Sequence, residues 1–167
     1  MFSLEKHYAL HSEQIYQFIY FLTFDHTLAE DLLQETFLRA HKARHTYRGE
    51  ANALTWLRKI AKHTVVDHFK SKKKSFWKFY EEIPDDVQTP LSTEELLTLE
   101  EAKHNLYVAI SKLKLEYRLA IILRKIEELS VAETAATLEW SESKVKNNTE
   151  RGMKALKELM IGGDLNG

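Results

Sequence analysis

Four side chains, Lys144, Asn147, Arg151 and Lys154, recur at helical spacings of three and four within WSESKVKNNTERGMK. On a helix that spacing lines them along one face. Arginine and lysine can take guanine O6 and N7 in the major groove, and asparagine can take adenine N6 and N7. Part of any such set holds only phosphate. Asn148 falls at the border of this face, and Lys146 on its other flank. Val145, Thr149, Gly152, Leu156 and Leu159 are expected to face inward. Gly152 costs about 1 kcal/mol against alanine in a helix interior, so close helix packing is expected there. A second reading is a helical hairpin with a solvated face.

A second cationic face lies in ANALTWLRKIAKHTVVDHFK, residues 51–70. As a helix, Leu54, Leu57, Ala61, Thr64, Val65 and His68 gather on one side. Trp56, Lys59, His63 and Lys70 follow on another, flanked by Lys62 and Val66. Tyr47, Arg48 and Gly49 precede it as a loop turning at the glycine. Cations track phosphates and aromatic rings stack on unpaired bases, so this face suits an opened strand. It equally suits a solvated basic face with Trp56 as packing.

A third set is LAEDLLQETFLRA, residues 28–40. Ala29, Leu33, Thr36, Phe37 and Ala40 form the expected buried side. Asp31, Gln34 and Leu38, beside Glu35 and Leu28, form an acidic and amide-bearing stripe with exposed leucine. Such a stripe can dock a protein. Taken alone, it favours an ordinary amphipathic helix with Glu35–Arg39 as a surface pair.

The elements that must carry these faces are helical. Apolar spacing near 3.6 residues predicts helices at 4–23, 27–43, 51–72, 94–113, 115–127, 131–138 and 142–160. Ser130 opens a capping box with Glu133, and Ser141 caps the next helix. The tight turn between VAETAATL and that helix makes a helix-turn-helix. Both prolines, Pro84 and Pro90, fall in EEIPDDVQTPLST, which predicts a linker. The expected organisation is all-α: 1–74 as one small helical domain, 75–94 as a flexible acidic linker, 95–161 as a second, and 162–167 as a fraying tail.

The chain has 167 residues and a net charge of −1, which hides strong segregation. Residues 36–80 hold twelve Lys/Arg against two Asp/Glu, a net +10, and residues 81–101 hold eight Asp/Glu and no base. A polyanion-binding surface beside a segment that mimics or repels one follows. No cysteine is present, which excludes a disulfide framework or a cysteine-ligated zinc site. The first residues lack the basic start and cleavage site of a signal peptide, and IYQFIYFLTF is too short and polar to span a bilayer. A soluble, cytoplasmic protein is expected.

These segments, in this order, resemble an extracytoplasmic-function sigma factor of the sigma-70 family. AEDLLQETFLRAH resembles that family's core-polymerase-binding helix. TYRGEANALTWLRKIAKHTVVDHFK resembles its −10 recognition and melting segment. ELSVAETAATLEWSESKVKNNTERGMKALKEL resembles its −35-reading helix-turn-helix, and SVAETA and SESKVK resemble the sigma-X type. The resemblance implies that Leu28, Asp31, Gln34, Glu35 and Leu38 grip core RNA polymerase. It implies −10 contacts from Tyr47, Arg48, Gly49, Trp56, Lys59, Lys62, His63 and Lys70. It implies −35 contacts from Ser141, Ser143, Lys144, Lys146, Asn147, Asn148 and Arg151. It also implies an anti-sigma partner, often membrane-anchored, and no homodimer. Three departures stand out: His63 where the family often has Asn, Asn148 where it often has Arg, and Leu113-Lys114-Leu115 where it has Leu-Pro.

Two rival classes fit the sequence less well. An enzyme lacks support: eight histidines include His41 and His45 four apart, but no HExxH and no phosphate-cradling glycine loop accompany them. No cofactor or metal is expected. A stand-alone helix-turn-helix regulator would dimerise over spaced half-sites, and no dimer stripe stands out.

Overall fold

The computed structural model describes residues 2–49, 52–71 and 99–166. The expected linker at 75–94 lies outside the described residues.

The first half is three helices. α1 spans Leu4–Thr23, and its cap Ser3 accepts a hydrogen bond from the Lys6 N–H. Phe24 ends it in the left-handed region at φ 51°, giving its N–H to the Tyr20 carbonyl. Asp25 then caps α2, His26–Lys42, by accepting from the Leu28 N–H at 3.1 Å. The turn between two long helices is therefore two residues, and it folds α2 back onto α1. A 3₁₀ turn at Arg44–Thr46 and Gly49 at φ 73° lead to α3, Ala53–Ser71. Ile15, Phe18, Ile19 and Leu22 meet Ala29, Leu33, Phe37 and Ala40, and Leu57, Ala61 and Val65 close the core. The expected buried side of α2 is observed, with Leu32 added; on α3, Leu57, Ala61, Thr64 and Val65 are buried as expected, Arg58 and Phe69 join them, and Leu54 and His68 are only half-buried.

The second half is α4, Leu99–Ser111; α5, Leu115–Ile121; α6, Val131–Leu138; and α7, Glu142–Asn166. The single helix expected over 115–127 instead ends in a π turn at Ile122–Ile126, where the Glu127 N–H reaches back to the Ile122 carbonyl. That wide turn carries Glu127 toward the first half. α7 runs to Asn166, past the expected end at 160. Glycine costs a helix only about 1 kcal/mol, and no proline stops the chain at Gly162–Gly163. Leu159, expected inward, is instead exposed.

The halves touch. Leu119, Ile122, Leu123 and Leu138 belong to the core begun by α1–α3. Ala109, Ile110, Leu113, Ile121 and Leu156 form a second cluster between α4, α5 and α7. No helix among the described residues is long and apolar enough to cross a membrane.

Candidate nucleic-acid interface

α6 and α7 build the helix-turn-helix. The Ser130 hydroxyl accepts from the Glu133 N–H at 3.0 Å, and the Ser141 hydroxyl from the Lys144 N–H at 3.1 Å. Each satisfies an N–H that a helix start leaves without a partner. Between them Glu139 stands in the left-handed region at φ 60°, which makes the turn tight. Val145, Gly152 and Leu156 pin α7 down, leaving Ser143, Lys146, Asn147 and Arg151 exposed together on the outer side. Ser141 is also exposed, but its hydroxyl is engaged as the cap.

Two expected members of this set are placed differently. Asn148 is buried, and its amide Nδ2 donates to the Lys144 carbonyl at 2.9 Å. It is turned into the fold with its amide engaged, so it stands off the outer face. Lys144 is half-buried over the Trp140 ring, 4.5 Å from the centroid, and 3.4 Å from Glu116. Its charge is shared with the protein's own groups.

α3 carries the second cationic set. Lys59 is half-buried, and His63 and Lys70 are exposed. Lys62 donates from Nζ to the Leu138 carbonyl at 2.8 Å, and His63 Nε2 lies 3.3 Å from Glu139 Oε1. Burial lowers the Lys62 pKa, and Lys144 lowers it further, while Glu139 and Glu116 oppose the shift. The two cationic sets therefore approach each other in space. Trp56, read either as a ring for an unpaired base or as packing, is packed: Phe2 meets it edge-on at 5.2 Å and Tyr47 lies 5.1 Å away. Phe2 also stacks on His7 at 4.4 Å. Phe2 sits one residue before the Ser3 cap and His7 four after it, the positions of a hydrophobic staple. Arg48 and Gly49 are exposed at the loop.

The α2 stripe is open. Asp31, Gln34, Glu35 and Leu38 are exposed and Leu28 is half-buried. Gln34, Phe37 and Leu38 join Leu4, Glu5 and Tyr8 around an apolar groove of about 510 Å³. Glu35 is 3.0 Å from Arg39, which also reaches Asp67 at 2.8 Å, and these bonds raise the Arg39 pKa. The surface pair expected from the sequence is thus present, and it joins α2 to α3.

Sequence reasoning missed the two buried arginines. Arg58 projects from α3 to Glu127, Nη2 to Oε2 at 2.6 Å, with side chains only 3% and 13% exposed. Arg118 projects from α5 the other way. Its Nη1 donates to the Leu22 carbonyl at 2.8 Å, and its Nη2 to the Ser111 and Leu113 carbonyls. The signal was spacing: Arg58 stands four after Leu54, three before Ala61 and seven before Val65.

Two helical halves, one with a second basic helix and one with a helix-turn-helix whose outer side is cationic, define an all-α chain built around a DNA-binding helix-turn-helix. Residues 7–75 match the Sigma-70 region 2 family model, and residues 103–156 match Sigma-70, region 4. The chain is similar to the ECF RNA polymerase sigma factor SigX of Bacillus subtilis, 34% identical over 157 residues, covering 92% of this chain and 81% of the relative. It is 30% identical to SigM of the same organism, covering 94% of both. Its fold is that of the sigma factor RpoE in complex with the anti-sigma factor NepR from Bartonella quintana. That match has a TM-score of 0.77 and 21% identity, and covers 94% of this chain and 96% of that one. The chain belongs to the sigma-70 family, in its extracytoplasmic-function group. It is a promoter-directing initiation factor of RNA polymerase and not an enzyme, which decides against the stand-alone regulator.

Proposed function

We propose a division of labour among the three surfaces. Leu28, Asp31, Gln34, Glu35 and Leu38 dock core RNA polymerase, with the apolar groove beside Leu38 receiving part of it. Tyr47, Arg48, Gly49, Trp56, Lys59, Lys62, His63 and Lys70 hold the opened −10 strand. Ser143, Lys146, Asn147 and Arg151 lead at the −35 element, with Ser141 and Lys144 at its edge. Asn148 serves the helix rather than the DNA. The domain limits that go with this reading are 1–74 and 95–161, with the linker at 75–94 and a tail at 162–167. The protein works in the cytoplasm, where its polymerase is, and resembles the sigma-X type in its promoter-reading segment.

The observation that carries the −35 reading is the joint exposure of Lys146, Asn147 and Arg151 opposite the packed line Val145, Gly152 and Leu156. A helix pinned on one side and cationic on the other fits a major groove. An anti-sigma partner, membrane-anchored in the family's usual manner, is part of the same reading. The chain's likeness in fold to a sigma factor bound to one supports it.

Binding to a −35 duplex, followed by fluorescence anisotropy, tests the assignment. Arg151→Ala should weaken specific binding by about 1–3 kcal/mol, and Lys146→Ala should reduce the salt slope by about one. Core affinity should stay unchanged in both. Equal losses for matched and scrambled duplexes in Arg151→Ala would reject base reading by that residue.

A further inference from the structure

We propose that Phe2, with His7 behind it, is a positioning residue for the −10 strand: it sets the Tyr47 and Trp56 rings as the platform on which an unpaired base stacks. The inference rests on the assignment of Tyr47 and Trp56 to that strand.

Four rings from separate parts of the chain meet here. Phe2, 7% exposed, stacks on His7 of α1 at 4.4 Å. It meets Trp56, near the start of α3, edge-on at 5.2 Å, and Tyr47, in the loop after α2, edge-on at 6.0 Å. Tyr47 also meets His7 edge-on at 5.9 Å and lies tilted by 44° against Trp56. Stacked and edge-on pairs are the arrangements that the charge distribution of aromatic rings favours, so each ring restrains the next. Phe2 and His7 are buried, while Tyr47 and Trp56 are half-buried and keep part of their surface open. The first two are placed to support, and the second two to receive.

The support is itself fixed. The Ser3 carbonyl accepts from the His7 backbone N–H at 3.0 Å and from its ring Nδ1 at 2.7 Å. A carbonyl only accepts, so Nδ1 carries the proton, and the ring cannot turn without losing that bond. A staple of this kind fixes where a chain enters its helix. Here the same pair reaches past its own helix, to the loop and to α3.

The loop has use for such a support. The Tyr47 N–H bonds back to the Arg44 carbonyl at 3.2 Å, and Arg48 and Gly49 beyond it are exposed. The Tyr47 ring ties this end of the loop to the bundle. A base gains from stacking only what remains after the rings have been ordered for it. Rings held beforehand by packing remove that cost. Phosphate contacts from the α3 lysines follow charge and position, not ring orientation. Phe2 should therefore govern the base-dependent part of strand binding and leave the phosphate part alone.

Fluorescence anisotropy on the full chain separates the two parts. One probe is a mixed-sequence single-stranded DNA of about twelve nucleotides, and the other is a strand of equal length with every base removed. Wild type should bind the intact strand about tenfold more tightly, the gain from stacking a base on aromatic rings. Phe2→Leu keeps an apolar side chain in the bundle and removes the ring. It should cut that preference to about twofold, with affinity for the base-free strand unchanged. His7→Gln can still donate to the Ser3 carbonyl but offers no ring. It should lower the preference in the same direction, and it carries the test if urea unfolding shows Phe2→Leu to be unfolded. A preference unchanged in the folded variants, equal weakening on both probes, or a wild type indifferent to the bases would overturn the positioning role. Lys59→Ala reads the underlying assignment separately: affinity for both probes unaltered by that change would remove α3 as the strand site, whatever Phe2→Leu shows.

Discussion

A Cβ placed on Gly152 would lie 2.9 Å from Ile121 Cδ1 and 3.1 Å from Tyr117 Cβ, so α5 and α7 pack through the missing side chain. The contact fixes the helix that carries Lys146, Asn147 and Arg151. Gly152→Ala gains about 1 kcal/mol of helix propensity and meets an overpacking cost of about 1–3 kcal/mol. The expected result is a net loss of about 1 kcal/mol in urea unfolding. Ile121→Val in the same background should recover part of it by withdrawing the closer methyl. A variant more stable than wild type would show that the helices separate at no cost.

The α2 stripe separates docking from folding. Gln34 and Leu38 are exposed, so Gln34→Ala with Leu38→Ala should leave stability within about 0.5 kcal/mol. Core polymerase affinity should fall about tenfold or more if the pair includes a hot spot, since truncating a hot-spot residue costs about 2 kcal/mol or more. Co-elution with core at wild-type concentration dependence would contradict the docking role.

His11 gives the fold a pH dependence with a definite sign. Burial lowers its pKa from 6.5, and nearby His7 and Arg58 lower it further. The folded state therefore disfavours the imidazolium relative to the unfolded chain. Between the depressed folded value and 6.5 the unfolded state binds more protons, so stability rises with pH across that window. Stability is lost as pH falls through 6.5, and above it His11 contributes nothing. Thermal melts at several pH values should show this loss in wild type, and His11→Gln should flatten it. A variant whose melts track wild type across that range would remove His11 as the cause.

Much of this was legible in the sequence because helices announce themselves by periodicity. The inward faces of α2 and α3 follow from Leu33, Phe37, Leu57 and Val65 at helical spacing, and the caps Ser130 and Ser141 stand where their hydroxyls predict. The close approach at Gly152 was legible too, since a glycine inside a helix needs a packing reason. What periodicity does not carry is which polar side chain a helix buries. Arg58 and Arg118 sit at core spacing but carry charge, so they read as surface until their partners are seen. Asn148 lies one position from an exposed face, and about 100° of helix rotation separates a base-reading amide from a backbone-bonded one. The contact between halves was invisible because its ties join residues far apart in the chain, such as Lys62 and Leu138.

Run-off transcription with purified core polymerase tests the central claim most directly. Templates carry a promoter with both elements, or the same promoter with either element scrambled. The account predicts a transcript that requires this protein, saturates with its concentration, and drops sharply when −35 or −10 is scrambled. Transcription no greater than that of core alone, or equal on all three templates, would contradict it.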